Sequence, residues 1–137
     1  MHLLLYRVTA ARAVVHTHSV FATAVGLLLD ELPTIHYTMV PLGGSVRVAP
    51  YATFGTTDLA AKVAEAVAGR TAVLLANHGA LTYGASLAEA YDRAELLEWL
   101  CALYCQSSQL GRPRVLSDDQ MRAAAEQFHL LHYGEPG

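Results

Sequence analysis

The sequence predicts one α/β domain in which helices and strands pack in layers around a core. Segments with strand-like apolar runs and segments with helical periodicity follow one another along the chain, a mixture typical of layered α/β folds. The chain has 137 residues, enough for one modest domain. No repeat, linker or low-complexity segment divides it, so we expect a single domain over residues 1–137.

Short apolar runs bounded by turn residues indicate the strands. Five segments are predicted as strands: Ala13–His16, Ile35–Val40, Val46–Ala49, Thr71–Ala76 and Ala80–Tyr83. The first and fourth are runs of aliphatic residues that suit a buried sheet. The sequence Pro41-Leu42-Gly43-Gly44 predicts a turn between the second and third strands, and the fifth strand is expected to pair with the fourth.

Helical periodicity and capping residues indicate five helices. They are a run at residues 1–6, Ser19–Leu29, a helix that Thr57 caps and Gly69 ends, Ser86–Gln109, and a last helix after the Ser117-x-x-Gln120 capping box. The predicted core positions are Leu87, Ala90, Tyr91, Ala94, Leu97, Cys101 and Tyr104 on the longest helix, and Met121, Ala125 and Phe128 on the last.

The composition limits the classes of partner. Hydrophobic residues make up 53% of the chain and charged residues 15%, so part of the surface is expected to be buried in a homo-oligomer. The net charge of −3 without a basic block argues against nucleic-acid binding. No apolar run reaches the roughly 20 residues of a membrane span, and the first residues do not resemble a signal peptide. Cys101 and Cys105 are interpreted as small buried side chains rather than a disulfide or metal pair, which favours a cytoplasmic location.

Three histidines in two short motifs are the strongest chemical feature. His16 and His18 form a His-x-His pair at the end of the first strand, where residues two apart share a face. His78 follows the fourth strand, and Gly79 after it suits a tight turn that leaves the imidazole facing a cleft. Three neutral imidazoles are a common ligand set for a catalytic zinc, with a fourth position for a carboxylate, water or substrate.

A plainer interpretation competes with the metal site. A single His-x-His pair is more often a surface or hydrogen-bonded pair, and only the third histidine at another strand end favours metal binding. Four further histidines are interpreted as ordinary residues: His2, His36, His129 and His132. His36, beside Tyr37, is a further candidate for the same cleft, although spacing does not place it there.

Four segments, in order along the chain, resemble the class II aldolase/adducin family. They are Ala13–Ser19, Ile35–Tyr37, Ala49–Thr56 and Asn77-His78-Gly79. Within the family, Pro-Tyr-Ala-Thr-Phe-Gly in the third segment points to the fuculose-phosphate branch. The resemblance implies a layered α/β/α domain with a central mixed β-sheet flanked by helices, and aldol cleavage that depends on zinc rather than on a Schiff base.

The resemblance also implies roles for single residues. The three histidines match the family's zinc ligands, so Zn²⁺ or another divalent metal is the expected cofactor. Tyr37 matches a tyrosine for proton transfer, Tyr133 a tyrosine that reaches a neighbouring subunit's site, and Phe54 an aromatic residue of the substrate wall. The expected substrate is a ketose 1-phosphate such as L-fuculose 1-phosphate, cleaved to dihydroxyacetone phosphate and an aldehyde, and the expected assembly is a homotetramer.

Some features of the family are not found in these residues. Its general base is a glutamate that also binds the resting metal, and with its Gly- and Ser-rich phosphate loops it lies upstream of the position that Met1 matches. No Asp or Glu precedes Asp30. We therefore expect an N-terminally truncated domain, the C-terminal two-thirds of the family's, with little activity by itself.

Two classes of function stay open at this point. The first is an enzyme, either the aldolase or a sugar-phosphate 4-epimerase, dehydratase or decarboxylase of the same family. The second is a non-catalytic assembly module like the adducin head. The three histidines favour the enzyme, because a module of the second kind has no need to keep them together.

Overall fold

A five-stranded mixed β-sheet organises residues 2–131, the part of the chain that the computed structural model describes. The strands are β1 (Ala13–Thr17), β2 (Glu31–Leu32), β3 (Val46–Ala49), β4 (Ala72–Leu75) and β5 (Gly79–Gly84). Their spatial order is β1-β5-β4-β3-β2. The β3–β4 pair is parallel and the other three pairs are antiparallel, so the predicted β4–β5 pairing is confirmed.

Within residues 2–131, five α-helices and one 3₁₀ helix accompany the sheet. The α-helices are α1 (His2–Val8), α2 (Val20–Leu28), α3 (Thr57–Ala66), α4 (Leu87–Leu110) and α5 (Asp118–Leu130). The capping box before α5 is confirmed, since the Ser117 side chain accepts a hydrogen bond from Gln120 N and the Gln120 side chain accepts one from Ser117 N. Thr57 as the cap of α3 is wrong, because extended Thr56 holds that position and its Oγ1 accepts from Leu59 N. In the described part of the chain, no helix combines the length and apolar character that crossing a bilayer requires.

The two faces of the sheet build two apolar clusters. Along β4, Ala72 and Leu74 point to one face while Val73 and Leu75 point to the other, as strand geometry requires. The first face is covered by α2 and α4, through Ala22, Val25, Leu97, Leu100 and Cys101. The second is covered by α1 and α3, through Leu5, Leu59 and Val63. This layering confirms the predicted α/β/α domain.

Residues 35–40 do not form the predicted strand. The chain instead forms a 3₁₀ helix at Tyr37–Leu42, which contains Pro41 and ends at left-handed Gly43. Met39 and Leu42 are both fully buried, and their spacing of three matches the three residues per turn of a 3₁₀ helix. Pro41 also lacks the N–H that a sheet ladder would use.

Helix positions at the edges of the core were wrongly predicted. Leu87 and Tyr91 are exposed, because the start of α4 turns Ala90 rather than these two residues toward β5, where the Thr82 hydroxyl donates to the Ala90 carbonyl oxygen. Leu100 is buried in their place. Ala125 is exposed as well, because α5 packs mainly against the 3₁₀ helix rather than the sheet.

The start of α2 is held by a side chain from α4. Ser19 occupies the N-cap position but makes no capping bond with its side chain. The Glu98 carboxylate accepts hydrogen bonds from Phe21 N at 2.9 Å and Ala22 N at 2.8 Å. A carboxylate at a helix N-terminus also interacts favourably with the helix dipole. Glu98 therefore fixes where the chain turns into α2 directly after the His-x-His pair.

Candidate metal centre

Strand pairing brings the two histidine motifs to the same edge of the sheet. His16 lies in β1, and His18 follows the end of that strand. β1 pairs with β5 so that His16 lies opposite Leu81 and Thr17 opposite Ala80. The turn between β4 and β5, which carries His78, therefore lies against the end of β1.

The three imidazoles converge as the sequence predicts. The Nε2 atoms of His16 and His18 are 3.0 Å apart. The ring centroid of His78 lies 5.0 Å from each of theirs, and the three rings offer ligand atoms that all lie within 4.8 Å of one another. Nitrogen atoms around a tetrahedral zinc are about 3.4 Å apart, because each Zn–N bond is about 2.0–2.1 Å. The three side chains thus fit a zinc-class ion after small rotations.

A backbone carbonyl sets the orientation of the His16 ring. His16 Nδ1 lies 2.8 Å from the carbonyl oxygen of Ala80. A carbonyl only accepts, so Nδ1 carries the proton and Nε2 of the neutral ring presents its lone pair toward His18. Hydrogen bonding of the remote nitrogen to a carbonyl is the usual arrangement for a histidine that binds metal. Sequence reasoning missed this partner, because a main-chain oxygen leaves no trace in residue identity.

Gly79 serves the centre in a way that the sequence did not show. The predicted tight turn is present and His78 faces the cleft, but the left-handed residue of the turn is Asn77, with φ 56°, rather than Gly79. Gly79 is needed for close approach instead. A Cβ atom on it would lie 2.2 Å from the Thr17 carbonyl oxygen and 3.0 Å from His18 Cδ2. The glycine therefore lets the start of β5 contact Thr17, the residue between His16 and His18.

The electrostatic environment keeps His78 in the form that binds metal. Partial burial lowers the pKa of His78 below its ordinary value of 6.5, and the positive charge that His18 can take lowers it further. The ring is consequently neutral near pH 7. Neutral imidazole is the ligand form, since a protonated ring has no lone pair to offer.

The histidines form one wall of an open cleft of about 450 Å³. Its other walls are Tyr51, Ala52, Phe54 and Asn77. Phe54 is 81% exposed and Tyr51 60% exposed, so two aromatic rings stand uncovered beside the imidazoles. The prediction that Phe54 lines the site agrees with this position. Tyr51 was not singled out as a site residue, although it lies in the same uncharged loop.

Two other predicted residues are not at the cleft. Tyr37 lies in the 3₁₀ helix. Its ring contacts the ring of His36, and its ring centroid lies 6.0 Å from that of Phe128. It lines a separate hollow formed with α5. His36 contacts Trp99 and Thr38 rather than the histidine cleft. Tyr133 lies outside the described residues, so its predicted role stays a prediction.

Comparison with known proteins identifies relatives along nearly the whole chain. Residues 1–105 match the family model described as the class II aldolase and adducin N-terminal domain. The chain is 40% identical over 129 residues to a 5-deoxy-D-ribulose 1-phosphate aldolase of Bacillus thuringiensis serovar kurstaki, covering 93% of this chain and 61% of that protein. It is 42% identical over 120 residues to an L-fuculose phosphate aldolase of Escherichia coli K12, covering 86% and 56%.

Solved structures agree with these matches. An L-fuculose 1-phosphate aldolase superposes with a TM-score of 0.89 at 40% identity, covering 93% of this chain and 61% of that one. The L-fuculose-1-phosphate aldolase from Thermus thermophilus gives a TM-score of 0.70 at 32% identity, covering 83% and 63%. The chain thus spans about three-fifths of the length of the proteins it matches.

Proposed function

The chain belongs to the class II aldolase and adducin N-terminal domain family, and from this premise we propose that it is a metal-dependent sugar-phosphate aldolase. The reaction is cleavage of a ketose 1-phosphate to dihydroxyacetone phosphate and an aldehyde. The supporting observation is the convergence of His16, His18 and His78 at the wall of an open cleft. We propose that residues 1–137 belong to a single domain, which carries the metal centre for this reaction.

The donor set fits zinc or a similar divalent cation. His16, His18 and His78 supply three nitrogen ligands, a set that leaves one coordination position for substrate or water. The cation, when bound, would polarise the carbonyl group and stabilise the negative charge that develops on the ketone fragment as the carbon–carbon bond breaks. The Ala80 carbonyl contributes by holding His16 in one tautomer, so that this ligand is oriented before the ion arrives.

The aromatic wall suggests which end of the substrate lies beside it. Tyr51 and Phe54 offer uncovered apolar surface next to the histidines. Both relatives compared above are named for deoxy sugars, whose carbon chain ends in a methyl group. We propose that the aldehyde end of the substrate packs against these two rings, which also exclude water from the reacting carbons. L-fuculose 1-phosphate and 5-deoxy-D-ribulose 1-phosphate are the two leading substrates.

The tyrosine roles require more than one copy of the chain. Tyr37 lies away from the histidines of its own chain and its side chain is half exposed. We propose that Tyr37 moves a proton in the site of a neighbouring copy and that the copies assemble as a homotetramer. Tyr133 is proposed for the same kind of contribution across subunits.

Metal analysis of the purified protein tests the centre directly. We expect about one zinc-class ion per chain, and a large loss of bound metal in His16→Ala and in His78→Ala. His129→Ala is the matched control, because His129 is an exposed histidine on α5. Equal metal content in all four proteins would refute the centre.

A coupled assay of dihydroxyacetone phosphate release tests the reaction. The zinc-loaded chain is incubated with each of the two ketose 1-phosphates and, separately, with a pentulose 5-phosphate, and His78→Ala is assayed beside it. We expect slow release, since no carboxylate is among the described residues that line the cleft and a general acid–base group typically supplies about 10²–10⁴ in rate. Epimerisation of a pentulose 5-phosphate without any triose phosphate would replace the aldolase with the epimerase. Bound zinc with no reaction on any of these substrates would refute the enzyme and favour a non-catalytic module.

A further inference from the structure

The third histidine sits on a turn of unusual backbone geometry. β4 ends at Leu75 and β5 begins at Gly79, and these two residues face each other in the hairpin. His78 N donates to the Leu75 carbonyl oxygen at 3.1 Å, which makes residues 75–78 a β-turn with Asn77 in its third position. Asn77 has φ 56° and is the one non-glycine residue with positive φ among residues 2–131. A turn with positive φ in its third position alone is of the type II kind, which favours Gly or Asn there.

The side chain of Asn77 does not explain its presence. It is exposed at the rim of the cleft, and no hydrogen bond holds its amide within the described part of the structure. What distinguishes asparagine here is its tolerance of the left-handed region, which β-branched residues do not share. The structural contribution of Asn77 is therefore the path of the backbone into His78.

The rest of the centre is fixed independently of this turn. His16 is held by the β1–β5 pairing and by the Ala80 carbonyl, and His18 directly follows Thr17, the last paired residue of β1. Gly79 is held against the Thr17 carbonyl, as its lack of room for a Cβ shows. Both ends of the hairpin turn are thus anchored, and the direction of the His78 side chain depends on the dihedral angles of the two residues before it.

We propose that Asn77 is a positioning residue for the metal centre, acting through its left-handed backbone to aim His78 at the other two imidazoles. The inference rests on the proposed function, because it assigns a role within the same metal site. It predicts that substitutions rank by backbone tolerance rather than by polarity. Asn77→Gly should behave like the natural protein, whereas Asn77→Val should misdirect His78.

The experiment compares Asn77→Gly and Asn77→Val in two measurements. Zinc affinity is measured by competition with a chromophoric chelator, and we expect Asn77→Val to bind about 10–100-fold more weakly, as loss of an orienting partner typically does. Asn77→Gly should bind within about threefold of the natural protein. The melting temperature without metal is recorded for all three proteins, since a merely structural role would lower it while leaving the zinc affinity of the folded protein unchanged.

A second readout needs no metal. In the metal-free protein, nuclear Overhauser contacts between imidazole protons report the His16–His18 and His18–His78 pairs, whose ring centroids are 4.8 and 5.0 Å apart. Asn77→Val should lose the His18–His78 contact and keep the His16–His18 contact. If the natural protein binds no zinc while these contacts change as expected, the proposed function fails and the positioning role stands. Retention of the His18–His78 contact in Asn77→Val, or equal losses in Asn77→Gly and Asn77→Val, would overturn the inference.

Discussion

Replacing Gly79 with alanine adds one methyl group at the most crowded point of the centre. The new Cβ would lie 2.2 Å from the Thr17 carbonyl oxygen. A carbon–oxygen contact relaxes to about 3.3 Å or more, so the end of β1 and the start of β5 must separate by roughly 1 Å. This shift weakens the pairing of Thr17 with Ala80 and moves the strand segment between His16 and His18.

The expected cost follows from these contacts. Overpacking typically destabilises by about 1–3 kcal/mol, and one weakened ladder hydrogen bond adds about 0.5–1.5 kcal/mol. We therefore expect Gly79→Ala to lower the free energy of unfolding by about 2–4 kcal/mol, a large part of the roughly 5–15 kcal/mol of a typical domain. Zinc affinity should fall by about 10–100-fold, because His16 and His18 flank Thr17, the residue that the new methyl group displaces.

Urea unfolding in the presence of a chelator measures the first quantity, and zinc competition measures the second. Gly69→Ala is the control, because Gly69 has φ +70° with open space around its Cβ position and lies outside the residues that line the histidine cleft. That variant should lose about 1 kcal/mol from the left-handed backbone alone and keep its zinc affinity. The steric reasoning is refuted if Gly79→Ala unfolds within about 0.5 kcal/mol of the natural protein, the range of a neutral surface change, and binds zinc equally well.

Three further outcomes follow from single contacts. Glu98→Gln removes the charge that holds the start of α2, so it should destabilise by about 1–2 kcal/mol in urea unfolding, whereas exposed Glu95→Gln on the same helix should be neutral. The pKa of His78 is lowered by folding, so the unfolded chain is protonated at His78 before the folded chain as the pH falls. The metal-free protein should therefore lose stability below about pH 6.5. His78→Gln should show a smaller loss in melting temperature between pH 7.5 and 5.5. Burial raises the pKa of the Cys101 thiol far above its ordinary range and also raises that of Cys105. A thiol reagent at pH 8 should therefore label Cys105 slowly and Cys101 only on unfolding. Rapid labelling of Cys101 in the folded protein would contradict its buried position.

The sequence predicted those features that depend on local pattern. The two-residue spacing of His16 and His18, the strand before His78 and the capping box at Ser117 are all set by neighbours along the chain, and each was located. The segment at 35–40 was misread because an apolar run this short fits a strand as well as a 3₁₀ helix. Only the packing of Met39 and Leu42 into the core decides between the two.

The parts of the site that escaped prediction are those made by the backbone and by distant packing. The Ala80 carbonyl behind His16 and the closeness of Gly79 to Thr17 both depend on the β1–β5 register, which no local pattern contains. The separation of Tyr37 from the histidines likewise follows from which face of the 3₁₀ helix meets α5. Sequence reasoning identified the ligands and the loop of the cleft but not what orients them.

The pairing of the first strand with the fifth also bears on how the protein folds. His16 and the Ala80 carbonyl that orients it are 64 positions apart, so this contact closes a long loop of chain. Pairings of such sequence separation are entropically costly and slow compared with helices and hairpins. The β4–β5 hairpin is local, whereas β1 must find its place beside a partner made much later during synthesis. Until it does, the pair at the end of β1 and the imidazole of His78 cannot share one ion, and binding of a cation by all three therefore reports that β1 has paired with β5.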